Sequence, residues 1–371
     1  MRRKRKLDHL NLARLMDDGP LPTGFADIHF VPNCLPELDF GEISTVSSFL
    51  GRNVAVPFFI NAISGGVAEA KELNRALAYA ACQTGIPMAV GSMTAAIEDR
   101  SLRHTFTVVR EENPDGFVAA NLSAGAKPHH CLTAVEMLRA DALQLHLNAP
   151  QEVMMREGEG DLSFSGFLQN IMDVVELSPV PVIVKEVGFG IAEEQARLLQ
   201  AAGAAALDTG GGGGTNFIRI ESVRKSDTGA QPFFPWGLPA VVSLLEVVAC
   251  TTRGGNAGAA VPEIVASGGV RSGLDAAKAL ALGASLAGVA GPLVRSYYQG
   301  GREALLACLQ LWQHQLRQAM FMLGVSKPAL LKKRPLVVLG ETGNWLALRG
   351  IDARHLARRR GGSALLNFKN N

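Results

Sequence analysis

The chain has 371 residues, 47% of them apolar and 19% charged, with a formal net charge of +2. Such a composition excludes a disordered polymer and gives no global field for nucleic acid or a membrane surface. The five cysteines, Cys34, Cys82, Cys131, Cys250 and Cys308, are widely spaced and include no C-x-x-C pair. That argues against a disulfide framework or a structural zinc site and for a reducing, cytoplasmic setting. No stretch reads as a signal core or a membrane span.

Residues 1–52 read as an arm. It opens on the basic run Arg2 to Lys6 and continues irregularly with a few short strands. From residue 53 a rhythm sets in. Short apolar runs at 54–63, 87–92, 116–123, 142–148, 181–187, 205–211, 263–269 and 286–291 alternate with patterns of helical period. Helices are predicted at 192–203, at 272–284 with Ser272 as N-cap and Gly283 as stop, and at 303–324. Apolar strands joined by helices make a parallel sheet buried on both faces. Eight such units predict an α/β chain folded as a (β/α)8 TIM barrel with an N-terminal arm and a short C-terminal extension. An open doubly wound sheet is disfavoured, because G-x-G-x-x-G does not follow the first strand. The expected divisions are an arm at 1–52, a barrel at 53–324 and an extension at 325–371. Residues 211–238 read as one long loop after the sixth strand, of the kind that forms lids. The basic run from Arg354 to Arg360 reads as a solvated tail.

Barrel active sites lie at the carboxyl ends of the strands, and polar or glycine residues cluster there in this sequence. The stretch "LDTGGGGGTNF" (207–217) puts five glycines after the sixth strand, where bare backbone lets a ligand approach. The seventh and eighth strands end in "SGGVRSG" and "VAGP", each leading into a helix. With Arg271 as a fixed cation, this is a phosphate-binding pattern. Lys185 at the end of a buried strand requires an anionic partner. In "HLNAPQE", His146, Asn148, Gln151 and Glu152 follow the fourth strand. A carboxylate beside carbonyl-type groups suits magnesium that also holds a substrate phosphate. His129 and His130 open a helix and read as surface.

The segments "RKLDHL", "INAISGG", "ANLSAG", "LQLHLNAPQEV", "PVIVKEVGFG", "GGGGTNFIRIES", "WGLP" and "GETGNWLALRG" run almost from end to end. Together they resemble the type 2, flavin-dependent isopentenyl-diphosphate isomerases. The resemblance implies conversion of isopentenyl to dimethylallyl diphosphate with reduced FMN as acid and base, Mg2+, NADPH as the flavin's reductant and no net redox change. It implies FMN contacts at Ala62, Ile63, Ser64, Ser92, Asn121, Lys185, Thr215, Gly269, Val270, Arg271, Ala290 and Gly291. Substrate would meet Arg5, Lys6 and His9, often from a partner subunit of a homo-oligomer, together with Asn148 and Gln151. Glu152 would hold the metal, His146 and Gln151 would relay protons, and Lys185 would stabilise the reduced ring. Phe233, Phe234 and Trp236 are expected over the isoprenoid. The chain departs from the family's pattern at Ser64, Met93 and Leu162. Two other readings are weighed: another FMN-dependent barrel oxidoreductase, and a barrel that binds flavin or prenyl phosphate without catalysis. A 2-hydroxy-acid oxidase needs a histidine and a nearby arginine after the sixth strand, and residues 209–217 contain neither. A nucleotide dehydrogenase needs a cysteine within 209–238, and there is none.

Overall fold

The computed structural model describes residues 2–63, 65–252 and 260–359. Its centre is a closed barrel of eight parallel strands. They are β1 (Phe58–Ile60), β2 (Met88–Ala89), β3 (Val118–Ser123), β4 (Ala142–Leu147), β5 (Val182–Glu186), β6 (Ala206–Asp208), β7 (Glu263–Ser267) and β8 (Leu286–Val289). Each lies within the apolar run that predicts it. β8 pairs with β1 through Ala287 and Phe58, which closes the ring.

The period of two along each strand divides the barrel into layers. Phe59, Ala89, Ala119, Ala142, Ile183, Ala206 and Val265 form one apolar layer inside it. The hairpin Ser47–Phe49 and Arg52–Val54 plugs the floor beneath, with Phe49 against Phe59 and Phe117. Two residues further along the same strands come Asn61, Asn121, Gln144, Lys185, Asp208 and Ser267, all buried and all polar. The opposite faces, with Phe58, Ile60, Leu143, Val184 and Leu207, pack against the surrounding helices.

The helices at Glu193–Ala201 and Gly273–Leu282 form as expected. Ser272 caps the second by accepting a hydrogen bond from the Asp275 amide at 3.0 Å, and Gly283 ends it with φ 131°. The helix expected at 303–324 begins earlier. It runs from Gly291 to Met322 and is broken at Gly300 and Gly301, whose backbone is not helical. The long loop expected at 211–238 holds a helix, Phe217–Lys225, and a 3-10 segment, Thr228–Phe233. Asn216 caps that helix through the Arg219 amide at 3.0 Å.

The arm is more regular than its sequence implies. Arg2–Leu15 is a helix laid across the barrel mouth. Ile28–Phe30 pairs antiparallel with Leu336–Val338 of the C-terminal extension, so arm and extension share a small sheet. The solvated tail holds for the exposed Arg354 and Arg358, whereas Arg359 donates to the Ala281 carbonyl at 2.7 Å. Arg360 lies outside the described residues.

Candidate active site

The polar layer of the barrel is one connected network. Asp208 sits at its centre with no exposed surface. Its Oδ2 accepts from Asn61 Nδ2 at 2.6 Å and Gln144 Nε2 at 3.2 Å, and lies 3.7 Å from Lys185 Nζ. Its Oδ1 accepts a short hydrogen bond from the Ser267 hydroxyl. Asn121 Nδ2 donates to Gln144 Oε1 at 2.8 Å, and His146 Nδ1 lies 3.0 Å from Asn121 Oδ1. The lysine expected to need an anion has one in Asp208, and it also donates to the Glu186 carbonyl at 2.6 Å. Asn61, Gln144 and Asp208 were not among the expected site residues. The acid that ends β6 and the polar residue inside β4 were the readable signals.

Burial pushes the His146 imidazole down to about 4, with Lys185 and Lys6 adding to the effect and the Leu122 carbonyl opposing it. Burial pushes Glu186 up to about 8, against the amides of Phe189, Gly190 and Val187 and the charge of Lys185. His146 is therefore neutral near pH 7.

Above β4, Asn148 Nδ2 donates to Gln151 Oε1 at 3.1 Å and to Glu152 Oε1 at 2.7 Å. Glu152 Oε2 accepts the Asp161 amide at 2.8 Å. Among the described residues no three acids, histidines or cysteines group as a metal cage. A magnesium ion here would take one carboxylate and complete its shell from water and substrate phosphate.

The arm helix supplies the roof. Lys6 Nζ donates to the carbonyls of Gly65 (2.8 Å) and Ser92 (2.7 Å). Arg5 donates to the Glu159 carbonyl at 2.7 Å and lies against Met155. His9 Nε2 meets Glu221 Oε1 at 2.6 Å. Glu221 is fully buried, also pairs with Arg224, and lies 3.5 Å from Gln151 Nε2. Burial pushes its carboxyl up, but His9 and Arg224 hold it below the ordinary range. Glu221 was missed because residues 211–238 read as a loop, and its partners His9 and Gln151 come from the arm and from the segment after β4. Arg5, Lys6 and His9, which the resemblance often draws from a partner subunit, here cover the chain's own barrel.

The five glycines correct an expectation. At each of them, a Cβ would meet the protein itself. Gly210 faces the Glu186 backbone, Gly211 Ala240, Gly212 Leu21, Gly213 Thr23, and Gly214 the Gly269 amide at 2.9 Å. The run packs against backbone at Gly210, Gly211 and Gly214 and against Leu21 and Thr23 at the other two, rather than forming open floor. The phosphate pattern stands beside it. Over Gly291, at the start of its helix, lie Arg295 Nη1 and Thr215 Oγ1, 3.2 and 3.4 Å from where a Cβ would be. Arg271 and Arg295 both hold the Asp18 carboxylate, at 3.1 and 2.9 Å. This donor set already binds an anion and suits a phosphate.

The other expected residues divide. Ala62, Ile63, Ser92, Asn121, Val270 and Ala290 stand at or next to strand ends on the mouth side, as do Gly269 and Gly291. Ser64 lies outside the described residues. Met93 is fully buried, Leu162 is 70% exposed, and nothing in their contacts explains either departure. Phe234 packs with Phe189, Ile218 and Ala230, whereas Phe233 and Trp236 are exposed.

A model of the FMN-dependent dehydrogenase family matches residues 99–338. An isopentenyl-diphosphate delta-isomerase of Symbiobacterium thermophilum is 43% identical over 97% of this chain and 99% of its own length. One from Moorella thermoacetica is 43% identical over 93% and 96%. The chain belongs to the isopentenyl-diphosphate delta-isomerase family. Its fold is shared more widely than its chemistry. A lactate oxidase of Pediococcus acidilactici superposes with TM-score 0.65 at 16% identity, covering 90% of this isomerase-family chain and 87% of its own. A mandelate oxidase with an FMN adduct gives 0.60 at 19%, covering 90% and 92%. The barrel is common to these proteins, so function rests on the residues at its mouth.

Proposed function

We propose that this chain converts isopentenyl diphosphate to dimethylallyl diphosphate with reduced FMN, and that Glu152 would hold Mg2+ for the diphosphate. The observation that carries this reading is the convergence at one mouth of Lys185, His146, Gln151 and Glu152 with the cationic arm residues. An oxidase of this barrel would need a histidine and arginine after β6, and glycines stand there instead.

Thr215, Gly269, Val270, Arg271, Ala290 and Gly291 would hold the FMN phosphate, with Arg295 added by its position. Ala62, Ile63, Ser92, Asn121 and Lys185 would line the ring. When bound and reduced, FMN supplies an electron-rich face and an exchangeable proton for moving a double bond with no net redox change. The protein's own residues orient and protect. Lys185, fixed near Asp208, would provide positive charge to the reduced flavin. Arg5, Lys6 and His9 would exchange their present partners for a diphosphate carrying roughly two to three negative charges. Asn148 would keep Gln151 and Glu152 in place, and His146 and Gln151 would pass protons near the isoprenoid. Closing the roof removes water that would otherwise quench a cationic intermediate. NADPH as the reductant and a homo-oligomeric assembly belong to the same proposal, although a complete mouth is built here from one chain.

The test uses purified protein loaded with FMN, reduced once, then given isopentenyl diphosphate and Mg2+. Dimethylallyl diphosphate should form without further consumption of reductant. Glu152→Gln should keep the flavin and lose at least roughly 100-fold in turnover, the larger loss seen when even an outer partner of a metal ligand is removed. Unchanged turnover in that variant rejects the metal role, and oxidation of the substrate rejects the isomerase reading.

A further inference from the structure

We propose that Asp208 is a positioning residue that fixes the tautomer of His146 through Gln144 and Asn121. The starting point is that a carboxylate accepts hydrogen bonds and cannot donate them. Gln144 approaches Asp208 Oδ2 at 3.2 Å and must therefore turn its NH2 group toward it. That leaves Gln144 Oε1 facing Asn121 at 2.8 Å, so Asn121 must turn its own NH2 toward Gln144. Asn121 Oδ1 then faces His146 Nδ1 at 3.0 Å and can only accept. The proton of neutral His146 is placed on Nδ1, and Nε2 keeps its lone pair.

Each link is locked from the side. Asn61 donates to the same Asp208 oxygen at 2.6 Å, while its Oδ1 accepts from the Ala62 amide at 2.9 Å and from Gln144 Nε2 at 3.3 Å. Its orientation agrees with that of Gln144. Lys185 and Ser267 also stand against Asp208 as donors, which holds it as an acceptor toward Gln144. Gln144 and Asp208 have no exposed surface, and Asn121 is 2% exposed. Water has no access with which to rescue a flipped amide, and a reversed link would leave buried groups unpaired. The order runs across three strands, from β6 to β4 to β3 and back to β4, and strand register fixes the neighbours. Asn121 pairs with Gln144, Ser123 with His146, and Lys185 with Asp208.

The consequence for chemistry rests on the reading of His146 as a proton-handling group at the isoprenoid. A single tautomer offers one lone pair at one position and no competing N–H there. A mixed population would present the wrong atom in a fraction of turnovers.

The experiment uses holoenzyme carrying nitrogen-15-labelled histidine, observed without substrate at a pH where His146 is neutral. Its signal is identified by its loss in His146→Gln. In the unaltered protein Nδ1 should be protonated and Nε2 not. Gln144→Leu cuts the ladder and leaves Asp208 its bonds to Asn61 and Ser267, and its fold is checked by circular dichroism and flavin content. It should give a mixed or inverted tautomer. Asp208→Asn restores the option of either amide orientation and should also give a mixture. Turnover should fall at least about tenfold, bounded by the roughly 10⁴-fold loss seen when the acid behind a catalytic histidine is neutralised. A protonated Nε2 in the unaltered protein overturns the proposal, as does an unchanged signal in either variant that folds. A changed tautomer with full turnover supports the ladder and removes His146 from the catalytic reading, so the two failures are separate.

Discussion

At the scale of single residues, Glu186 makes the sharpest prediction. It ends β5, is 8% exposed, and accepts the amides of Phe189 (2.5 Å) and Gly190 (2.9 Å). Burial raises its folded value to about 8 from an ordinary 4.5, even with those amides and Lys185 pulling it down. A carboxyl whose folded value lies above its unfolded one favours folding most below the unfolded value. The contribution is lost as pH rises through the folded value, because the native state must then hold a buried charge. The unaltered protein should therefore lose stability between about pH 5 and pH 8 relative to Glu186→Gln, which keeps the acceptor and cannot ionise. Thermal midpoints of the two proteins across that window should diverge steadily, with the variant ahead at the alkaline end. Parallel curves would show that the amides govern this group and burial does not.

At the scale of elements, backbone contact replaces side-chain packing at several joints, and glycine marks them. A Cβ on Gly273 would collide with the Trp312 carbonyl and the Leu316 amide, and come within 2.6 Å of Gln315 Cβ. The helix Gly273–Leu282 thus rests directly on the second half of the helix Gly291–Met322. Gly273→Ala improves helix propensity but forces the two apart. It should cost about 1–3 kcal/mol, the usual price of overpacking, read as a lower urea midpoint at unchanged m. A loss below about 0.5 kcal/mol would mean the helices yield freely. The same feature explains what the sequence shows of the elements and what it hides. Strands and the Ser272-capped helix were legible because period and cap are local signals. The glycine run announced a close approach but not its partner, since backbone and ligand impose the same demand for an absent side chain. The helix Phe217–Lys225 had its own cap signal in Asn216, obscured by the glycines before it and the aromatics after it. The arm helix was hidden because the basic run that begins it carries little apolar period; its fold depends on carbonyls and acids that only the closed barrel brings together. For the same reason Lys185 and His146 stood out as strand-end residues, whereas Gln144 and Asn61 acquire meaning only when strand register sets them beside Asp208.

At the scale of the whole molecule, the extension and the mouth are mechanically joined. Leu336–Val338 holds the arm at Ile28–Phe30, and the Thr342 amide donates to Asp27 at 3.0 Å. The arm then runs over the glycine junction, where the Gly19 amide donates to the Gly214 carbonyl at 3.0 Å, and reaches the roof through Asp18 and the arm helix. The other end of this strap is anchored by Glu246, which has no exposed surface. It accepts Trp345 Nε1 at 2.9 Å, Arg349 Nε at 2.8 Å and the Glu193 amide at 3.1 Å. Burial pushes the Glu246 carboxyl up, and Arg349 with Trp345 brings it below the ordinary range. Arg349→Ala leaves a buried carboxylate without its counter-charge. The partial exposure of Arg349 and the two remaining donors reduce the cost, to about 1–3 kcal/mol. The effect should also travel. With the extension loosened, the strand pairing that holds the arm weakens, and protease cleavage within residues 16–27 should speed up although Arg349 touches none of them. Faster unfolding with unchanged arm cleavage would mean that extension and roof are independent, and that the small sheet between them carries no load to the mouth.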